Sequence, residues 1–216
     1  MKAGVVVFPG SNCDRDMKIG LENSGFEVTM LWHKDATVPQ LDLIVLPGGF
    51  SYGDYLRCGS IAAHSTIMTE VKKHADAGRL VLGVCNGFQI LTEAKILPGG
   101  LLSNKTLSFI CKPQKLKIAS NDNPFTDFYM KGEEVMFPVA HHDGNYFADK
   151  DTLAAIEDNN QVAFRYVDTP NGAVNDIAGI TNKKGNVLGM MPHPERAISK
   201  LLGGEDGKKF FDNLLG

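Results

Sequence analysis

The five residues Gly83-Val84-Cys85-Asn86-Gly87 stand between an apolar run, Leu80-Val81-Leu82, and a helical run, Phe88-Gln89-Ile90-Leu91-Thr92-Glu93. A strand must end there and a helix must begin almost at once, which is the pattern of a nucleophile elbow. The turn is so tight that small residues are needed on either side, and the central side chain is forced outward. With cysteine at the apex, the thiol lies at a helix N-terminus, where the positive end of the dipole favours thiolate. The amide N–H of Asn86 then points at any anion that forms beside the sulfur. The pattern predicts covalent acyl chemistry. The competing reading is a core cysteine, since free cysteine is among the most buried residue types.

The elbow belongs to an alternating series. Val5 to Pro9 reads as a first strand, followed by the loop Gly10-Ser11-Asn12. A helix then carries Cys13, Met17, Gly20, Leu21 and Ser24 on one face and is stopped by Gly25. Phe26 to Leu31 and Leu43 to Leu46 are further strands, the latter ending in Pro47-Gly48-Gly49. A polar loop, Phe50 to Gly59, leads into an expected helix from Ser60 to Ala77, and Leu80 to Val84 is the strand before the elbow. Strands rich in Val, Ile and Leu that alternate with helices predict a mostly parallel sheet with helices on both faces.

After Pro98-Gly99-Gly100 the pattern changes to short runs separated by turn residues: Thr106 to Lys112, Lys115 to Ala119, Glu134 to Ala140, Gln161 to Tyr166, Ile177 to Thr181 and Val187 to Met191. Asn171-Gly172 and Lys183-Lys184-Gly185-Asn186 read as hairpin turns. This half is expected to be an antiparallel extension of the same sheet, closed by a helix with Phe210, Phe211, Leu214 and Leu215. With 216 residues and no repeat or linker, a single domain over 1–216 is expected.

Composition excludes several classes. The formal charge is −3 with both signs scattered, so no basic face for nucleic acid is indicated. Apolar runs such as Leu41 to Pro47 are too short to cross a bilayer, and Met1 to Pro9 reads as a buried strand, not a signal peptide. Cys13, Cys58, Cys85 and Cys111 lack a disulfide-like spacing, which points to a reducing compartment and a cytoplasmic location. Neither G-x-x-x-x-G-K-[ST] nor G-x-G-x-x-G occurs, so these nucleotide signatures are absent.

A cysteine nucleophile needs a base, and the base needs an orienting partner. Met191-Pro192-His193-Pro194-Glu195 supplies both. Each proline biases the residue before it toward extended angles, and in an extended segment side chains two apart share a face. His193 and Glu195 are thus expected side by side. The strand Val187 to Met191 should deliver them to the carboxyl edge of the sheet, where Cys85 also lies. Gly49, at the end of the third strand, lets a second backbone N–H approach a reacting carbonyl oxygen beside Asn86. Of the remaining candidates, Cys13 lacks an elbow and is assigned a structural or contact role, Cys58 and Cys111 are assigned to packing, and His64 and His74 to ordinary helix positions. His141-His142-Asp143 is an awkward metal set, because adjacent residues of a strand point to opposite faces, and no metal is expected.

These residues resemble the class I, triad-type glutamine amidotransferases, which have a flavodoxin-like fold, and the resemblance covers nearly the whole chain. Phe8 to Asp16, Pro47 to Arg57 and Gly83 to Leu91 narrow it to glutaminase subunits of de novo purine biosynthesis; other triad amidotransferases usually carry Leu-Gly after the cysteine, where this chain has Asn86-Gly87-Phe88. The resemblance implies Cys85 as nucleophile, His193 as base and then acid, and Glu195 as its orienter. Gly49 and Asn86 would form the oxyanion hole, with Gly48, Gln89 and His141 binding glutamine. The stretch Ala140-His141-His142-Asp143-Gly144 departs from the family's Ala-His-Gly-Glu-Gly at two positions. The resemblance also implies no cofactor on this chain, ATP and Mg handled by a large synthetase subunit, and a small bridging subunit. Phe50 to Arg57, a polar aromatic loop with Tyr52, Asp54, Tyr55 and Arg57, is the expected docking surface, since interfaces are enriched in tyrosine and arginine. A related cysteine peptidase or deglycase, and an inactive scaffold, are the alternatives.

Overall fold

The computed structural model describes residues 1–215. The amino-terminal half alternates strand and helix: β1 (Lys2–Val7), α1 (Asp14–Asn23), β2 (Glu27–Trp32), β3 (Leu43–Leu46), α2 (Ile67–Asp76), β4 (Leu80–Val84) and α3 (Asn86–Glu93). The carboxyl-terminal half adds β5 (Gly100–Leu102), β6 (Ile110–Ile118), β7 (Glu134–His141), β8 (Asn145–Phe147), α4 (Lys150–Asp158), β9 (Val162–Tyr166), β10 (Ile177–Thr181), β11 (Val187–Met190) and α5 (Asp206–Asn213).

Nine strands form one sheet in the order β2-β1-β3-β4-β11-β10-β9-β6-β7, and β5 pairs with β8 in a separate ribbon. From β2 to β11 every pairing is parallel; from β11 to β7 every pairing is antiparallel. This is a flavodoxin-like α/β fold with the expected extension. The strand order reverses between β1 and β3, so right-handed crossovers place α1 and α2 on opposite faces. All four residues of β3 are fully buried, as a strand covered on both faces requires. Burial of each such aliphatic side chain contributes roughly 1.5–3 kcal/mol.

The hydrophobic pattern locates the strands of the main sheet but misses the short β5–β8 ribbon, and it misjudges two joins. The helix expected from Ser60 to Ala77 is broken: a 3-10 turn at Ala62–His64 stops at Ser65, which is extended (φ −66°, ψ 150°), and α2 starts afresh at Ile67. The Ser65 hydroxyl lies 3.2 Å from Tyr52 Oη, and serine readily trades helical geometry for such a local bond. Conversely, the runs on either side of Pro113 are one strand, β6. Pro113 is tolerated because β9 pairs with β6 only at Leu116 to Ile118, leaving residue 113 beyond that ladder. Residues before Ile110 lie outside the strand. Helix α4, which the hydrophobic pattern does not mark, is announced by its cap: Asp149 accepts from Thr152 N–H at 2.8 Å. The Lys183–Asn186 segment turns as expected between β10 and β11, with Gly185 at φ +74°; Asn171-Gly172 lies instead within a longer connection from β9 to β10.

Two long-range features position the rim of the sheet. Strands β4 and β11 are parallel neighbours, with Val84 opposite Met190, and Cys85 N–H donates to Met190 O at 2.7 Å. Strand β7, last in the sheet order, curls back over the same rim, so that Pro138 O accepts from His193 N–H at 2.8 Å. Among the described residues no helix is long and apolar enough to cross a membrane.

Candidate active site

The elbow forms as the glycines demand. A Cβ at Gly83 would stand 2.8 Å from the Gly87 backbone, and one at Gly87 would stand 1.9 Å from Leu46 O. Between them Cys85 adopts φ 51°, ψ −105°, a sparsely populated conformation for a side-chain-bearing residue. Such strain persists only where the surroundings enforce it, and here the β4 ladder holds one end and α3 the other. The Cys85 side chain is buried and its Sγ lies 3.7 Å from Ala140 O on the returning strand.

The end of β11 delivers the second half of the site. His193 and Glu195 side chains are 2% and 0% exposed, with His193 Nδ1 2.6 Å from Glu195 Oε1. The route differs from the extended segment expected: His193 is extended (φ −106°, ψ 90°), but Glu195 sits in a 3-10 turn, Pro194–Arg196, that swings its carboxylate back to the ring. Helix α1 braces this turn, since Gly20 lets the Glu195 backbone approach. Burial works against a charged imidazole, but Glu195, then the Cys85 sulfur, then Cys13 outweigh it and hold the His193 proton affinity well above the usual histidine value. His193 Nε2 and Glu195 Oε2 are buried without a hydrogen-bond partner.

Cys85, His193, Gly49, Asn12, Cys13, Phe50, Phe109, Cys111, Ala140 and Arg196 line one cavity of about 190 Å³. The two distant halves of the sequence thus meet at one hollow. Gly49 has φ +146°, and a Cβ there would stand 2.8 Å from Asn12 N, so only glycine fits. Among the described residues, the backbone N–H groups of Gly49 and Asn86 have no protein acceptor. A Cβ at Gly48 would press on the His193 ring at 2.7 Å.

The Asn86 side chain explains why the residue after Cys85 is polar. Its Oδ1 accepts from Ser51 N–H at 3.2 Å and its Nδ2 donates to Gln89 Oε1 at 2.9 Å, while Gln89 Nε2 donates to Asp143 O at 2.7 Å. This buried chain ties the Phe50 loop, α3 and the segment after β7 into one unit. His141 is buried between Asn104 Oδ1, 3.1 Å from Nδ1, and Asn171 Nδ2, 3.5 Å from Nε2. Burial, and secondarily the charge of His193, push its pKa down to about 4. Its ring is therefore neutral and built into the loop.

Sequence reasoning underrated three cysteines. Cys13 is buried and, with His193 and Glu195, places a ligand-type atom of each residue within 4.8 Å of the others. That set has the donor chemistry of a metal site, but the Arg196 guanidinium, with Nη2 3.0 Å from Cys13 Sγ, sets a positive charge against a cation there. Cys58 is half-buried, with Sγ donating to Asp143 Oδ2 at 3.2 Å, and Cys111 is exposed at the cavity mouth; neither is a core packing residue. These placements depend on loops brought together from distant sequence, and no local pattern announces them. The Phe50 loop is exposed at Tyr55 (71%) and Leu56 (76%), and three non-glycine residues in it, Tyr52, Asp54 and Leu56, have positive φ.

Residues 1–204 match the family model of the CobB/CobQ-like glutamine amidotransferase domain. Two curated relatives, both phosphoribosylformylglycinamidine synthase subunit PurQ, are 56% identical over 217 residues, covering 100% of this chain and 98% of theirs; they come from Ruegeria sp. (strain TM1040) and Ruegeria pomeroyi. A chain of the PurLQS structure from Thermotoga maritima superposes with a TM-score of 0.92 at 48% identity, covering 99% of this chain and 97% of that one. A glutamine amidotransferase of the same organism, at 14% identity and TM-score 0.64 over 100% and 96% of the two chains, shares the fold. The chain belongs to the glutamine amidotransferase family, within the group of PurQ subunits of phosphoribosylformylglycinamidine synthase.

Proposed function

We propose that this chain, as a single domain, hydrolyses glutamine through Cys85, His193 and Glu195 and passes the ammonia to an ATP-dependent synthetase subunit. The observation that carries the reading is that His193, buried and paired with Glu195, shares one small cavity with the elbow cysteine and Gly49, while the unpaired Asn86 amide directly follows Cys85 in the chain.

In the proposed cycle, the Cys85 thiolate attacks the side-chain carboxamide carbon of glutamine. The carbonyl oxygen takes the negative charge and is held by the N–H groups of Gly49 and Asn86; removing one such donor in related chemistry costs about 3–4 kcal/mol of barrier. The raised proton affinity of His193 keeps the imidazolium available. His193 protonates the departing nitrogen, ammonia leaves, and a glutamyl thioester remains on Cys85. Neutral His193 then takes a proton from water, whose oxygen attacks the thioester carbon. Collapse expels the Cys85 thiolate and releases glutamate. Glu195 acts through His193, fixing the ring tautomer and stabilising its positive form. Gly48 keeps room for the ring, Gln89 braces the Asn86 side chain beside the elbow, and the glutamine-binding roles of Gly48, Gln89 and His141 rest on the family resemblance.

The relatives' names support the finer reading. The ammonia would go to a large synthetase chain that uses ATP and Mg to convert formylglycinamide ribonucleotide to its amidine, with a small bridging subunit completing the complex, all in the cytoplasm; this chain would bind no cofactor. The exposed, strained Phe50 loop is the proposed docking surface, because Asn86 connects it to the elbow. The test measures glutamate release by this subunit with and without the synthetase, ATP and formylglycinamide ribonucleotide. A marked rise on full assembly is expected. Glutamine turnover that ignores the synthetase and its substrates, or none under any condition, would refute the proposal.

A further inference from the structure

Cys13 belongs to the segment Gly10-Ser11-Asn12-Cys13-Asp14, which the catalytic cycle leaves unused. Its sulfur is buried at the start of α1, yet it caps no helix amide with its side chain. Its backbone N–H donates to Gly48 O at 3.3 Å, anchoring it to the strand end that precedes Gly49. Sγ lies 3.1 Å from Asn12 Oδ1 and 3.0 Å from Arg196 Nη2. Arg196 also reaches Asp16 on α1, Nε to Oδ2 at 3.4 Å. Arg196 follows Glu195 directly in the chain, and Glu195 Oε2 is buried without a partner.

An arginine next to a half-paired buried carboxylate has an obvious alternative position, on that carboxylate in bidentate geometry. There it would compete with the His193 Nδ1–H for Glu195 and weaken the orientation of the ring. We infer that Cys13 is a positioning residue: together with Asp16 it holds the Arg196 guanidinium on the α1 side, so that Glu195 remains committed to His193. The sulfur suits the task because it accepts from the guanidinium while filling the space beside Gly48, where a Cβ would meet Cys13 Sγ at 3.1 Å and the His193 ring at 2.7 Å. The groups that face His193 are Glu195 and Arg196 on its own turn, Cys85 at the elbow, Cys13 on the α1 side and His141 on β7. Of these, Glu195, Cys85 and Cys13 favour the imidazolium and His141 is neutral.

The inference rests on the triad reading, and the experiment separates the two. Glutaminase kcat and KM are measured against pH in the assembled complex for wild type, Cys13→Ala, Cys13→Ser, Arg196→Gln and the Cys13→Ala/Arg196→Gln double variant, with Cys85→Ser as the reference for the triad. Cys13→Ala should lower kcat about tenfold with KM within twofold, and should move the alkaline limb of kcat/KM to lower pH, because the imidazolium loses a supporting group. Cys13→Ser, whose hydroxyl still accepts from Arg196, should recover most of both effects. Removing Arg196 as well should relieve the loss, so the double variant should exceed Cys13→Ala. A Cys13→Ala complex with the wild-type profile overturns the inference. So does a loss shared equally by Ala and Ser with the limb unmoved, which is the behaviour of a packing residue. Full activity in Cys85→Ser would instead overturn the triad reading itself.

Discussion

Gly87→Ala tests the elbow at the level of ångströms. The added Cβ would stand 1.9 Å from Leu46 O, against a floor of 3.0 Å for real Cβ contacts, so β3 and α3 must part by about 1.1 Å. The obstructing atom is backbone in a strand hydrogen-bonded on both sides, so no side-chain rotation relieves it. Overpacking of this kind destabilises by about 1–3 kcal/mol. Alanine's better helix propensity returns at most about 1 kcal/mol. The expected net loss is therefore about 1–2 kcal/mol, read as a lower denaturant midpoint. The functional effect is larger, because the Asn86 N–H and Cys85 Sγ ride on the displaced turn, and a 1 Å misplacement is worth about 100-fold in rate. Gly100→Ala is the control, since its Cβ would meet nothing within 4 Å; it should leave glutaminase activity unchanged. A Gly87→Ala protein with wild-type midpoint and kcat/KM would refute the geometric reasoning.

Other expectations follow from the buried charges. Glu195→Gln keeps the shape but removes the charge opposite His193, and kcat should fall on the order of 10²–10⁴-fold with the circular dichroism spectrum intact. His193 binds its proton more tightly in the folded protein than in the unfolded chain. It therefore contributes stability that is full below pH ~6.5 and is lost as pH rises through its folded value; His193→Ala should remove that alkaline slope from the stability curve. His141 has the opposite sign. Its pKa near 4 means stability is lost as pH falls from ~6.5 to about 4, by up to ~3 kcal/mol. Acid denaturation of His141→Gln should show a shallower slope there. Asn86→Ala leaves Ser51 N–H and Gln89 Oε1 without their partner and should lower stability by ~2 kcal/mol, read by urea titration.

The local chemistry of the sequence announced the parts of the site that are made locally. Gly83, Cys85 and Gly87 define the elbow through steric limits that any strand-to-helix turn must obey, and Pro192 and Pro194 restrict the backbone around His193. The meeting of these segments was also legible, because parallel strands place their carboxyl ends together. Features created by tertiary return were not. Strand β7 belongs to the far edge of the sheet by pairing order, yet its Pro138 and Ala140 carbonyls reach His193 and Cys85. Cys13 has an unremarkable neighbourhood in sequence and acquires its role only when α1 packs on the Pro194–Arg196 turn. The break at Ser65 depends on a bond to Tyr52, thirteen residues away, which helical periodicity does not register.

The most direct measurement of the chemistry is rapid quenching of the assembled complex during glutamine turnover, followed by peptide mass analysis. A glutamyl group should be found on the peptide that contains Cys85, absent from Cys85→Ser and longer-lived when His193 is replaced. Turnover with no acyl adduct, or with the adduct on Cys13, Cys58 or Cys111, would contradict the assignment of the elbow cysteine as nucleophile.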